Sequence, residues 1–359
     1  MTKTVLLSLS LVAVLAVGCK KKKEPAPRPG SDTMAVGSGT GAGTGAMATG
    51  SGSGSAEAPK PDPKLVARGE YLAKLLGCPF CHMPMGPKGP DFTRPFAGGM
   101  EVPEKFGTWR APNITPHKGT GIGTWTEEQI ITAIREGKRP DGSKLFPIMP
   151  YPNYNRMTDA DAKAIAAFVM SLPPIDNAVA PNKDLKLPQL DLPKPANAPD
   201  PVDDPVKHGE YLVTLMHCNM CHATPDAKGM PDFQNKPFSG GMEFELPMLG
   251  TGKLYASNIT SDPETGIGKW TEEQIASAIK TLTRPDGTII QGPMQFYLAG
   301  WSVMDEKDLK AIAAYVKQIP AMKNKVPKST FKATVSMGQP PAAGSGSAGS
   351  GSAGSGSAK

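Results

Sequence analysis

Cys78 and Cys81 flank two residues, and His82 follows directly, in the string Cys-Pro-Phe-Cys-His. Cys218, Cys221 and His222 repeat that spacing in Cys-Asn-Met-Cys-His. A C-x-x-C pair alone suits a thiol–disulfide site or half of a zinc site. The histidine behind the second cysteine in both copies argues for a different chemistry. Two thioethers hold a porphyrin by its edge, and the adjacent histidine reaches the iron. Ligand supply argues the same way: apart from Cys19, the only other cysteine or histidine side chains are His117, His208 and His217, too few to complete two four-ligand zinc sites. Two covalently bound haem c groups are expected, with His82 and His222 as proximal ligands.

The sixth iron ligand must be Met or His, and position in the repeat separates the candidates. His117 aligns with Asp262, His208 with Arg68 and His217 with Gly77, so no histidine pair is available. Met149 in Pro147-Ile148-Met149-Pro150 and Met294 in Gly292-Pro293-Met294 follow Arg139-Pro-Asp-Gly and Arg284-Pro-Asp-Gly at the same distance. These two are the expected axial ligands. Met157 with Met304, and Met100 with Met242, are the alternatives, with crevice lining as their other role because methionine fills irregular gaps. Trp125 and Trp270 are expected to pack near the porphyrins, Arg139 and Arg284 to pair with propionates or to set the Asp-Gly turn, and Asn113 and Asn258 to stitch a long loop.

The elements that must position these residues are written twice. Gly69-Glu-Tyr-Leu72 matches Gly209-Glu-Tyr-Leu212, Phe96-Ala-Gly-Gly-Met100 matches Phe238-Ser-Gly-Gly-Met242, and Asn113-Ile-Thr115 matches Asn258-Ile-Thr260. Gly121-Ile-Gly-Thr-Trp125 likewise matches Gly266-Ile-Gly-Lys-Trp270. Helical periodicity runs over Pro63–Leu76 and Pro205–Met216, and Thr126 and Thr271 read as N-caps followed by glutamates. A last helix in each unit starts near Thr158 or Asp159 and at Asp305, and closes at Pro173 and Pro320. Glycine and proline fill the stretch between the first and later helices, and no strand is signalled. The expected fold is therefore all-α, two tandem domains from an internal duplication: domain 1 at 64–173 and domain 2 at 205–321. A Pro-rich linker at 174–204 carries Leu185, Leu187, Leu190 and Leu192, which suggests that it lies on a domain surface.

The ends read differently. Residues 1–18 have a short basic start and an apolar run shorter than the roughly 20 residues of a membrane-spanning helix, a pattern of an export signal. Ala16-Val17-Gly18-Cys19 resembles the cleavage box of bacterial lipoproteins, in which the cysteine is acylated. Residues 19–63 form the lipid anchor and a Gly/Ser/Pro tether, and 322–359 is a tail that becomes Gly-Ser-Ala repeats. The formal net charge of +6 includes Lys20–Lys23, and no dense basic, aromatic face follows. Nucleic-acid binding is accordingly not expected.

The whole duplicated region resembles class I c-type cytochromes. The order Asn-Ile-Thr, Gly-Ile-Gly-x-Trp-Thr, Arg-Pro-Asp-Gly, Met resembles the dihaem and trihaem cytochrome c subunits of bacterial membrane-bound alcohol and aldehyde dehydrogenases. In those subunits a repeated Pro-x-Met-Pro stretch carries the axial methionine, which the resemblance transfers to Met149; the second copy departs in reading Gly-Pro-Met294-Gln295. This chain has two haem motifs where such subunits often have three.

The resulting expectation is an electron carrier rather than an enzyme. It is held by lipid at Cys19 in the bacterial cell envelope, facing the periplasm or the exterior. Its partners are redox proteins, such as a dehydrogenase or a membrane respiratory complex. A haem enzyme, for example a dihaem peroxidase or a thiosulfate-oxidising cytochrome, is the alternative; it would need an exchangeable iron position, whereas two methionine ligands close both.

Overall fold

In the computed structural model, residues 61–334 are described, apart from 87–88, 105, 183, 187, 197–201 and 248–249. The export signal, Cys19, most of the tether and the Gly-Ser-Ala tail lie outside the described residues.

Both halves begin with an amphipathic helix capped by an aspartate and started by proline: α1 (Pro63–Leu75) with Asp62 as N-cap. Next comes the short helix α2 (Cys78–Cys81), then two hairpins, β1 (Met85–Gly86) with β2 (Gly89–Pro90) and β3 (Glu101–Glu104) with β4 (Gly107–Arg110). Helix α3 (Glu127–Glu136) starts in a capping box in which Thr126 and Gln129 satisfy each other's backbone N–H groups. A short helix α4 (Tyr151–Tyr154) leads to α5 (Asp159–Ser171), capped by Thr158.

The second half runs in the same order. Asp204 caps α6 (Pro205–Leu215), and α7 (Cys218–His222) carries the second cysteine pair. Three strands follow, β5 (Glu243–Glu245), β6 (Gly250–Thr251) and β7 (Lys253–Tyr255). Helix α8 (Glu272–Thr281) repeats the capping box with Thr271 and Gln274. A 3-10 turn (Gly292–Tyr297) precedes α9 (Leu298–Trp301), α10 (Glu306–Gln318) and a last strand β8 (Lys332–Ala333).

The fold is mostly helical, and the all-α expectation needs one correction. Four two-stranded sheets occur among the described residues. They are two to four residues long, and Pro90, Pro103 and several glycines interrupt them, so no alternation long enough to be read as a strand exists in the sequence.

Packing follows the duplication. Helix α1 crosses α5, and α6 crosses α10, at Gly69 and Gly209. A Cβ at either glycine would overlap the carbonyl oxygen of Ala164 or Ala311 on the facing helix. The helix backbones thus touch, and the leucines on either side (Leu72, Leu75, Leu212, Leu215) are buried to 1% exposure or less.

The two halves then clasp each other by a reciprocal exchange. Tyr71 donates to Asp308 at 2.7 Å, and its counterpart Tyr211 donates to Asp161 at 2.8 Å. Each aspartate also has a partner in its own half, Arg68 Nε at 2.9 Å for Asp161 and His208 Nε2 at 2.8 Å for Asp308. Trp301 Nε1 completes the contact by donating to the Leu75 carbonyl.

Past α5 the chain does not leave the first half. Asn177 Nδ2 donates to the Ala97 carbonyl, Asn182 bonds both backbone groups of Arg110, and Leu185 is buried. Residues 322–333 repeat that strap on the second half: Asn324 Nδ2 donates to the Ser239 carbonyl, Ser329 accepts from Tyr255 N–H, and β8 pairs with β6.

Candidate haem sites

Each cysteine pair sits on a single turn of helix directly after the α1 or α6 helix. That brings both sulfurs to one side and the following histidine to the helix end. Burial raises all four thiols, to about 12 for Cys78 and Cys218 and about 11 for Cys81 and Cys221; within each pair the neighbouring sulfur adds to the rise at the first cysteine. A thiol so resistant to ionisation is a poor thiolate nucleophile or zinc ligand. Among the described residues, no group of three or more His, Cys, Asp or Glu side chains is arranged to hold a metal ion.

The histidines are set identically. His82 Nδ1 lies 2.7 Å from the Pro112 carbonyl, and His222 Nδ1 lies 2.7 Å from the Ser257 carbonyl. A carbonyl oxygen only accepts, so Nδ1 carries the proton and Nε2 keeps its lone pair for a metal. Burial depresses both imidazole pKa values, with the carbonyl bond opposing in part. Both rings are therefore held neutral and oriented, the state an iron ligand needs.

The loop bearing each carbonyl is itself anchored. Asn113, 2% exposed, accepts from Thr115 N and Oγ1 and donates to the Ile175 carbonyl of the strap at 2.7 Å. Asn258 makes the same set with Thr260 and Met322. The expected stitching by these asparagines is present, and its far anchor is the strap, whose hydrogen bonds to this loop the sequence did not reveal. Gly98 N–H and Gly240 N–H then close on the carbonyls of His82 and His222.

A cavity of about 1050 Å³ opens at the second site. Cys218, Cys221, His222 and Met294 all line it, with Ile267, Trp270, Ile275 and Ile312. Its size is just above the usual range of small-molecule pockets, about 300–1,000 Å³, and its wall is mainly apolar, with Glu264, Arg284, Lys323, Lys325 and Lys328 among its polar residues. A flat, mostly apolar macrocycle with two polar acid tails fits such a space.

Met294 is half-buried in that wall, whereas Met304 and Met157 are packed into the hydrophobic core at 3% and 0% exposure. Met149 takes the position equivalent to Met294, half-buried and packed against the core. Met100 is buried, and Met242 is not among the cavity-lining residues. Arg139 and Arg284 each bond two groups of the turn that follows, Ser143 and Lys144 carbonyl in one half, Thr288 and Ile289 carbonyl in the other. Arg284 also faces the cavity, so turn-setting and contact with an acid tail are compatible there. His117 accepts from Thr120 N–H within its loop. His208 is 2% exposed, with Nε2 2.8 Å from Asp308 Oδ1, a packing role away from the iron sites.

The Cytochrome c family matches residues 66–173. The cytochrome c subunit of a quinone alcohol dehydrogenase from Gluconacetobacter polyoxogenes is 34% identical over 287 residues, covering 72% of this chain and 57% of the relative. A fructose dehydrogenase cytochrome subunit from Gluconobacter japonicus is 32% identical, covering 71% of this chain and 53% of the relative. The chain thus spans little more than half the length of these dehydrogenase subunits. A dihaem c-type cytochrome from Cereibacter sphaeroides is 30% identical over 284 residues, covering 73% of this chain and 90% of the relative.

Proposed function

The chain belongs to the dihaem c-type cytochromes, and on that premise we propose that it carries electrons between redox proteins of the bacterial cell envelope. The observation that carries this reading is the twin histidine geometry: at both Cys-x-x-Cys-His strings a backbone carbonyl claims Nδ1 and leaves Nε2 for iron. Bound haem supplies reversible one-electron chemistry, and the protein sets its potential and access.

In this reading Cys78, Cys81, Cys218 and Cys221 form the thioethers, and His82 with Met149 and His222 with Met294 hold the two irons. The second half is then a class I cytochrome c domain like the first. Domain 1 spans 64–173 with its strap in the 174–204 linker, and domain 2 spans 205–321 with its strap just beyond. Methionine raises the reduction potential relative to a second histidine. Ile267, Ile275, Ile312 and Trp270 give the second site an apolar wall against the macrocycle. A dehydrogenase of the kind served by the matching subunits is the proposed electron donor. Cys19, outside the described residues, is the proposed lipid attachment point. No helix among the described residues is long and apolar enough to cross a membrane.

Replacing Met149 and Met294 one at a time in the holoprotein tests the ligand set. Each substitution to alanine is expected to remove one share of the near-infrared sulfur-to-iron charge-transfer absorption and to lower the potential of one centre. A wild-type protein that is high-spin, or that binds carbon monoxide readily at either centre, would instead favour a haem enzyme.

A further inference from the structure

One of the length differences between the two halves lies between their paired methionines. Between its paired methionines the second half, from Met294 to Met304, is two residues longer than the first, from Met149 to Met157. Pro150 alone precedes α4 in the first half, whereas Gln295, Phe296 and Tyr297 stand before α9 in the second and form the end of the 3-10 turn.

The added aromatic residues point across the molecule. Phe296 stacks on Phe80, the residue inside the first Cys-Pro-Phe-Cys string, with ring centroids 3.7 Å apart and planes 15° from parallel. Tyr297 lies against the residues that precede both motifs. A Cβ at Gly77 would overlap the Tyr297 ring, and the His217 ring meets it edge-on at 5.8 Å. Gly77 is held at φ 74° and His217 at φ 46°, so both attachment helices start from a left-handed residue packed on one tyrosine. Trp301 stacks on the Tyr297 ring at 5.0 Å and is itself bonded to the Leu75 carbonyl.

We propose that this insertion is the coupling element between the two haem sites. Tyr297 fixes the separation of the two attachment helices, and the Phe80–Phe296 pair joins the first of them to the loop that carries Met294. The inference rests on haem being attached at both motifs. Electron tunnelling falls off steeply with the width of the gap and with poor packing in it, so a rigid, ring-filled contact at this point sets the rate of exchange between the halves. One electron leaves the reduced site and enters the oxidised one; no bond forms or breaks. Burial keeps the Tyr297 hydroxyl protonated, so no proton need move with the electron. Tyr297 and Phe296 are thus positioning residues, supplied by a segment at which the two copies of the duplication differ.

The test uses holoprotein with haem content measured for every variant. In the half-reduced protein, the concentration-independent part of the NMR exchange between haem-methyl signals reads the intramolecular rate. Phe296→Leu and Tyr297→Leu are each expected to slow it by about tenfold or more, which corresponds to about 1.4 kcal/mol, at unchanged haem content and low-spin spectra. Tyr297→Phe is expected to keep the wild-type rate. Wild-type exchange in both leucine variants overturns the proposal, as does a lowered melting temperature with no change in rate, the signature of a merely structural contact. If Tyr297→Leu does not retain haem, Phe296→Leu decides, since its ring is half-exposed and outside the core. A wild-type protein with only one haem would defeat the underlying two-haem reading instead.

Discussion

At the scale of single residues, the chemistry depends on which atom is left free. The haem strings name His82 and His222, but the carbonyls of Pro112 and Ser257, 30 and 35 residues away, decide that Nε2 is the available nitrogen. His217 illustrates a cost of the same compactness. Burial holds its pKa at about 4, well below the ordinary value near 6.5. A histidine kept neutral in the folded state contributes stability that is fully present above pH 6.5 and is lost as pH falls toward 4, because the unfolded chain then binds the extra proton. Denaturant unfolding followed across that window is expected to show a decline in the wild type and a flatter profile in His217→Asn. Asparagine is the apt replacement since it tolerates the positive φ of 46° at this position. An unchanged slope would remove His217 from the acid response.

At the scale of elements, helix capping was legible, and the helix crossings and the hairpins were not. Thr126 and Thr271 stand before glutamate-rich turns, and the capping boxes follow directly from those residues. The glycine in each Gly-Glu-Tyr-Leu string is visible as a repeat, but its reason is tertiary: the Ala164 and Ala311 carbonyls occupy the space a side chain would need. Gly69→Ala or Gly209→Ala is therefore expected to force the helices apart and cost about 1–3 kcal/mol or more, measured as a shift in the denaturation midpoint. A neutral effect would mean that the α1–α5 or α6–α10 crossing tolerates separation. The straps were only partly legible. Leucines in the linker hinted at contact, yet Asn177 and Asn324, which pin the straps beside the haem loops, carry no local signal because their partners lie 80 and 85 residues away.

At the scale of the whole molecule, the described residues belong to one compact unit. What joins the halves is a symmetric exchange of tyrosine hydroxyls onto aspartates that are already paired at home. Tyr71→Phe and Tyr211→Phe each remove a hydrogen bond to a buried carboxylate, a loss of about 1.5–3 kcal/mol. The double variant is expected to unfold in a broader, separable pair of transitions where the wild type unfolds in one. Calorimetry checks this; a sharp single transition in the double variant would show that the apolar contact around Trp301 suffices to couple the halves.

Local order was enough to read the haem strings, the repeated motifs of the two halves and the helix starts, because each rests on spacing along the chain or on identity between its halves. Only the folded structure decided the rest. The histidine tautomer depends on a carbonyl brought back by a loop, and the Tyr–Asp exchange pairs residues 237 and 50 positions apart. The same is true of the Phe80–Phe296 stack. Such contacts join residues distant in sequence, and their partners are chosen by the geometry of helices crossing at glycine rather than by any pattern the neighbouring residues could carry.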